Sequence, residues 1–572
     1  MYKIIKRLPF GVCIIAIGFL LVQIITTLWL PLVTADIVNI GISTGDTAYI
    51  WSKGYLMIGL SVAAMLGAIC NTFLFSRISY KLGGELRGDI YRKTLSYSKH
   101  EFDKIGTSSL ITRNTNDVTQ VQTLVEGGLK FLILAPAMLI GGITMTALLS
   151  PTLAFVFLCS VPFLALAYFV VYRFASPLYD KMQRMLDNLN QFFREGLTGA
   201  RVIRAFGKES QEYEKYKSVN REYTKNYITA GTIMSLSIPL VTMLLSVTTV
   251  IVVWVGGKGV SNGSIEIGSI MSAISYSIHI LMGFGMLTNV ILAIPRGQIS
   301  ANRINEVLDM PISINDPIGS GLLSGKRQSA TALSFQNVDF RYQGAERKTL
   351  EDISFSVKQG QTLAIIGSTG DGKTTLVNLI SRLYDVENGT VQIGGADVRD
   401  MEQELLHDIV SFSPQKSTLF FGTIRSNMLI AKPNATDDEI WNSLKIAHAD
   451  EFVSDLDMAV EKVGGNFSGG QKQRLCIARA LLKEASIYIF DDSFSALDFK
   501  TDSEVRRDMR DRLKNAITVI VAQRIGTVMN ADKIAVLDDG KLAGFGTHKE
   551  LAASCSVYKQ IIDSQFKEEV VA

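Results

Sequence analysis

The chain is poor in cysteine and has no C-x-x-C pair: Cys13, Cys70, Cys159, Cys476 and Cys555 stand far apart, three of them inside apolar runs. That scatter excludes a thiolate metal cluster and a disulfide framework, and it points to reduced thiols. Excess charge is lacking as well. Lysine and arginine number 57 against 54 aspartates and glutamates, a net of +3 over 572 residues, so the balance implies no nucleic-acid partner. What is abundant is apolar: 47% of residues are hydrophobic, too many for a purely soluble chain, and the length exceeds that of one ordinary domain.

The apolar residues concentrate in the first half, in runs of membrane-spanning length: Leu8 to Ala35, Gly54 to Ser76, Phe131 to Tyr172, Asn226 to Gly257 and Ile267 to Pro295. The third run is double length and is punctuated by Ser150 and Pro151. It reads as two helices joined by a short turn, which makes six spans in a lipid bilayer. The first run reads as a retained helix and not as a cleaved leader. Lys3, Lys6 and Arg7 precede the first span, while Arg77 to Lys93 and Arg173 to Arg184 follow the second and fourth. By the positive-inside rule both termini are expected in the cytoplasm of a plasma membrane.

The basic connections Arg77 to Lys130 and Arg173 to Lys225 have few glycine or proline breaks, so the spans should continue into the cytosol as helices. Their expected tips are Ile105 to Asn116 and Gly196 to Gly207. Within the spans, Gln23, Asn71 and His279 are the notable polar side chains. His279, Met282 and Met286 are candidate substrate-pathway residues, and a pathway with so little fixed charge favours small amphipathic or apolar compounds over a multivalent ion.

Residues 301–331 read as a linker between a transmembrane domain, 1–300, and a soluble α/β domain, 332–566. Strand signals recur at Phe335 to Tyr342, Leu350 to Val357, Leu363 to Gly367, Thr390 to Ile393, Ile487 to Phe490, Ile517 to Ala522 and Ile534 to Leu537, implying a largely parallel sheet with an antiparallel portion. The fold class expected is therefore an α-helical six-span transmembrane domain followed by an α/β P-loop nucleotide-binding domain.

The third strand runs into Gly367, Ser368, Thr369, Gly370, Asp371, Gly372, Lys373, Thr374 and Thr375, which fits G-x-x-x-x-G-K-[ST]. Glycines there let successive amides converge on phosphate oxygens, Lys373 reaches the β- and γ-phosphates of ATP, and Thr374 holds Mg²⁺. Downstream, the apolar run SIYIFDD ends in Asp491, positioned to join Thr374 at the metal.

Between these two motifs lies Asn466 to Arg474, NFSGGQKQR. The order phosphate loop, SGGQ, acidic strand end and SALD resembles the ATP-binding cassette family, and with six spans ahead of it the whole chain is similar to an exporter-type half-transporter. The resemblance implies that Tyr342 stacks on adenine and that Gln415 senses Mg²⁺. It implies that Ser468, Gly469, Gly470 and Gln471 act on a partner's ATP, with Ser495, Ala496, Leu497 and Asp498 as the loop between the two sites. The two connection tips would be its coupling helices.

Two positions depart from the family pattern: Asp492 stands where glutamate polarises the attacking water, and Gln523 stands where histidine contacts the γ-phosphate. Asp is one methylene shorter than Glu, and Gln cannot become a cation. The chain thus resembles the degenerate-site subunit of heterodimeric bacterial multidrug exporters, hydrolysing ATP mainly at the site that its intact signature completes on a second half-transporter. An ATP-gated regulator and an importer of the same fold are the competing expectations.

Overall fold

The computed structural model describes residues 2–317 and 331–569. They form two compact units, one of residues 2–95 and 108–309 and the other of 96–107, 310–317 and 331–569. Most of the expected linker, residues 318–330, lies outside the described residues.

The first unit is helical. Among the described residues six helices are long and apolar enough to cross a membrane. They begin with α1 (Phe10–Asp36) and α2 (Thr47–Leu95). At Ser150 the backbone is extended and Pro151 opens the next helix, so the double-length run divides where its punctuation lies. Proline suits that first helical position because its absent N–H would have had no partner there. The 49 residues of α2 correspond to a length of about 70 Å, far more than a bilayer requires.

Ser96–Thr107 belongs to the second unit, and its helix, α3 (Lys99–Ile105), lies earlier than the expected tip at Ile105 to Asn116. The reason is local: Ser98 and Glu101 form a capping box that starts α3, and Gly106, at φ 80°, ends it. The Ser/Thr-rich stretch within the expected tip is helical from Thr107 to Thr112 and widens to a π-helix at Arg113–Asp117.

A second π-helical segment, Leu124–Gly128, leads into α4 (Leu129–Leu149). Next come α5 (Pro151–Thr198), the short tip helix α6 (Ala200–Ala205), α7 (Glu209–Ser235), α8 (Ser237–Ser261) and α9 (Ile267–Asp309). Since α9 runs unbroken to Asp309, the helical domain extends past residue 300, where the linker was expected to begin.

Polar side chains inside this unit cross-link helices. The Asn71 amide on α2, fully buried, donates to Gln23 Oε1 on α1 at 2.6 Å. Tyr276 on α9 donates to the Leu28 carbonyl of α1 at 2.7 Å. His279 Nδ1 meets the Ser275 carbonyl of its own helix at 3.0 Å. Met286 packs against the apolar cluster of Leu20, Ile24 and Met138, whereas Met282 is exposed.

The second unit contains two main sheets where the sequence implied one. An antiparallel sheet has the order β2-β1-β4-β5, from β1 (Ala332–Phe340), β2 (Leu350–Lys358), β4 (Asn388–Ile393) and β5 (Ala396–Asp397). The larger sheet has the order β10-β9-β3-β8-β7-β6. Its strands are β3 (Thr362–Ile366), β6 (Val410–Ser413), β7 (Ile487–Asp491), β8 (Ile517–Val521), β9 (Lys533–Asp538) and β10 (Lys541–Gly546). Every pairing in it is parallel except β9 with β10. All residues of β7 and β8 are buried, which is why both read as continuous apolar runs without alternation.

Replacing Asn71 with alanine removes the α1–α2 cross-link and should lower stability by about 1 kcal/mol. Thermal or detergent-titrated unfolding of the purified chain measures this, and no change would mean that the buried pair adds nothing.

Candidate functional site

Parallel pairing delivers the carboxyl ends of β3, β7 and β8 to one edge of the sheet, and the sequence-predicted groups of the nucleotide site emerge there. β8 pairs with β3 up to Val521 opposite Ile365, and with β7 up to Val521 opposite Asp491. One residue beyond β3 comes Gly367, followed by α10 (Lys373–Ile380). Gly370 and Gly372 have φ of 101° and 90°, a region closed to most side chains. A Cβ on Gly372 would also come within 2.7 Å of Leu350 Cδ2 and 2.9 Å of the Thr349 carbonyl.

Lys373 folds back over its own loop, donating to the Gly367 carbonyl at 2.8 Å and the Ser368 carbonyl at 2.5 Å. Burial lowers the pKa of its ammonium. Asp371 is almost fully buried, and its carboxylate accepts the amides of Ser368 and of Asp539 in the β9–β10 turn. It therefore fastens the loop to its neighbour, a role that the motif alone does not reveal.

Thr374 donates to Asp491 Oδ1 at 3.2 Å. Asp491 is 1% exposed, and burial pushes its pKa up to about 6. Asp492 follows at φ 49°, an unfavourable backbone for a non-glycine residue that turns the chain sharply at the strand end. Burial raises the pKa of its carboxyl too, against hydrogen bonds from Ser495 and Gln415. Asp492, Ser495, Gln523 and Arg524 line one cleft, so the two departures from the family pattern are neighbours. Arg524 is a functional candidate that sequence reading missed; its signal was a cation directly after Gln523, and its charge acts on the Asp492 carboxylate.

Tyr342 donates to or accepts from Thr375 Oγ1 at 2.9 Å and packs edge-on against Phe340 and Tyr384. The Tyr384 hydroxyl donates to Asp103 of α3 at 2.6 Å, and the Ser313 amide donates to Glu101 at 3.0 Å. The tip helix is thereby held beside the aromatic cluster of its own unit.

Ser468 to Gln471 opens α11 (Gly469–Leu482) through a capping box, with the Ser468 amide donating to Gln471 Oε1 at 2.9 Å and the Gln471 amide to Ser468 Oγ at 3.3 Å. Gly470 lies against the Ala496 carbonyl, where a Cβ would meet oxygen at 2.9 Å. Gln473 receives the Ala496 amide and Asp498 caps α12 (Phe499–Leu513), so Ser495, Ala496, Leu497 and Asp498 run directly behind the signature. Among the described residues no hydrogen bond joins Ser468 to Gln471 with the phosphate loop.

Comparison with known proteins agrees with this geometry. Residues 13–284 match the ABC transporter transmembrane region and residues 350–495 match the ABC transporter domain. An uncharacterized ABC transporter ATP-binding protein of Mycobacterium tuberculosis is 38% identical over 95% of this chain and 94% of its own. Another of Bacillus subtilis is 34% identical over 97% of this chain and 96% of its own. In fold, the chain is similar to a bacterial Atm1-family ABC exporter solved with ATP bound, with a TM-score of 0.79, 24% identity, and coverage of 97% of this chain and 99% of that one.

The class defined by the fold and the phosphate loop is that of multi-pass membrane proteins with a nucleotide-binding domain. Within it, this chain belongs to the ABC transporter family and is an ATPase coupled to transport.

Gly372→Ala should weaken ATP binding at least about tenfold, because the positive-φ backbone alone costs on the order of 1–3 kcal/mol in a residue with a Cβ. Titration with a fluorescent ATP analogue tests this; wild-type affinity would show that the loop tolerates the side chain.

Proposed function

We propose that the chain is one half of a heterodimeric exporter that moves amphipathic or hydrophobic compounds, of the multidrug type, out of the cell by alternating access. Its own site holds ATP and turns it over slowly, while Ser468, Gly469, Gly470 and Gln471 complete the hydrolysing site on a second ABC half-transporter. The observation that carries this reading is the cleft holding Asp492 and Gln523 beside the hydrogen bond from Thr374 to the buried Asp491, set against a signature helix whose first turn is fully formed.

The roles follow from chemistry. Glutamate at position 492 would reach one methylene further toward a water on the γ-phosphate. Misplacing a catalytic group by about 1 Å costs about a hundredfold. Gln523 can hydrogen-bond a phosphate oxygen but adds no positive charge. Lys373, already aimed along its loop, exchanges carbonyl partners for β- and γ-phosphate oxygens, and Tyr342 presents its ring to adenine.

Thr374, Asp491 and Gln415 fit Mg²⁺: a hydroxyl paired with a buried carboxylate, and a side-chain amide oxygen beside them, make a hard-oxygen donor set. The ion would supply charge neutralisation for the phosphates. The exposed Val202 and Phe206 around α6 suit it as a coupling helix, and α3 is the other. The placement of Lys and Arg supports a plasma-membrane protein with both termini and the nucleotide-binding domain in the cytoplasm.

Purified alone, the chain should hydrolyse ATP on the order of a hundredfold more slowly than with its partner. Asp492→Glu combined with Gln523→His should recover a large part of that deficit. Full turnover by the unmodified chain alone, measured by phosphate release, would overturn the heterodimeric reading.

A further inference from the structure

Two oppositely charged side chains enter the membrane unit where the π-helical segment Leu124–Gly128 passes into α4. Lys130 directly precedes the apolar run that starts at Phe131, and Glu126 lies four residues earlier, inside the π-helix. Both reach the same neighbour. Lys130 Nζ donates to Thr72 Oγ1 of α2 at 2.8 Å, and Ser76 Oγ of α2 donates to Glu126 Oε1 at 2.6 Å. Neither forms a salt bridge within 4.0 Å among the described residues, and the one opposite charge whose field reaches Lys130 is that of Glu126 itself. Each is met by one neutral hydroxyl, although an ammonium has three donors and a carboxylate two accepting oxygens.

A structural cross-link does not need charge at this depth. The neutral pair Gln23 and Asn71 joins α1 to α2 directly beside it, and the Thr72 hydroxyl continues that path to Asn71 Oδ1 at 3.4 Å. Charged groups in membrane helices are costly unless something pairs with them. The surrounding surface suits an amphiphile: Ile69, Thr72, Phe73 and Ser76 follow the i, i+3, i+4, i+7 spacing of one helix face, and Ile69 and Phe73 are exposed on it. π-Helical segments of this kind often mark functional sites.

We propose that Lys130 and Glu126 bind the head group of a zwitterionic amphiphile, the anionic group at Lys130 and the cationic group at Glu126, with its chain along the Ile69–Phe73 face. This deepens the export reading, on which it rests for an amphipathic cargo. It adds two fixed charges, at the end of the spans where such a cargo would be recognised, to a pathway expected to be almost without them.

The test uses the full chain in phosphatidylglycerol nanodiscs without ATP, titrated with a fluorescent single-chain phosphocholine amphiphile and with a maltoside-headed analogue of equal chain length. Lys130→Met and Glu126→Gln should each weaken phosphocholine binding about tenfold or more, the worth of one charge-assisted hydrogen bond at the phosphate and of one close ion pair at the choline, whose quaternary nitrogen has no N–H. Lys130→Arg should retain it, and the maltoside probe should be unaffected throughout. Unchanged phosphocholine affinity, or equal weakening of both probes, overturns the proposal, the second result marking lost packing. In phosphatidylcholine discs, competition with the probe supports a bilayer lipid as the source of this head group, and its absence supports the exported compound. Binding without ATP-driven flux in vesicles that hold this chain together with its partner half-transporter would overturn the export reading and leave the site standing; flux without head-group discrimination would overturn the site alone.

Discussion

The nucleotide-binding unit depends on the parallel register of β3, β7 and β8. Backbone hydrogen bonds hold Val521 opposite both Ile365 and Asp491, so β3 ends at one edge with two strands that lie more than a hundred residues downstream. Everything chemical follows from that alignment. The phosphate loop leaves β3, the acidic pair leaves β7, and Gln523 leaves β8, and no side-chain interaction could bring them together without the buried strands behind them. Those strands are buried and largely apolar because both faces of the sheet are covered.

The same alignment explains why the two family departures act together. Asp492 and Gln523 lie beyond paired strand ends and face one cleft. On the proposed reading, the shorter side chain at one position and the missing charge at the other would bear on a single γ-phosphate position. The signature is built independently: its capping box and the packing of Gly470 on the Ala496 carbonyl need nothing from the phosphate loop. The proposed asymmetry, an impaired site beside an intact signature, is compatible with one chain because different elements supply the two.

Much of this was legible because it rests on local chemistry. Spans announce themselves by length and hydropathy, the phosphate loop by glycines at positions of positive φ, and the division at Ser150–Pro151 by a proline that suits a first helical turn. The misreadings have physical causes as well. The tip helix Lys99–Ile105 was missed because its Ser98–Glu101 capping box sits in a polar, charged stretch without apolar periodicity. The end of α9 was set too early because its last turns outside the membrane lose the apolar run but not the helix. The short strand Val410–Ser413 carries too little apolar sequence to be seen without its partner β7.

What the sequence determined by itself is the class of the protein: spans and phosphate loop are read from composition and spacing, and the signature and the two atypical residues from the resemblance to the ATP-binding cassette family. Tertiary structure decided which of those residues meet. It turned Asp371 inward to fasten the loop and set Arg524 near Asp492. It also brought Glu126 and Lys130 against two hydroxyls of another helix without pairing them to each other. Periodicity along one helix fixes the face a side chain takes, but the neighbour on that face comes from packing between segments distant in the chain.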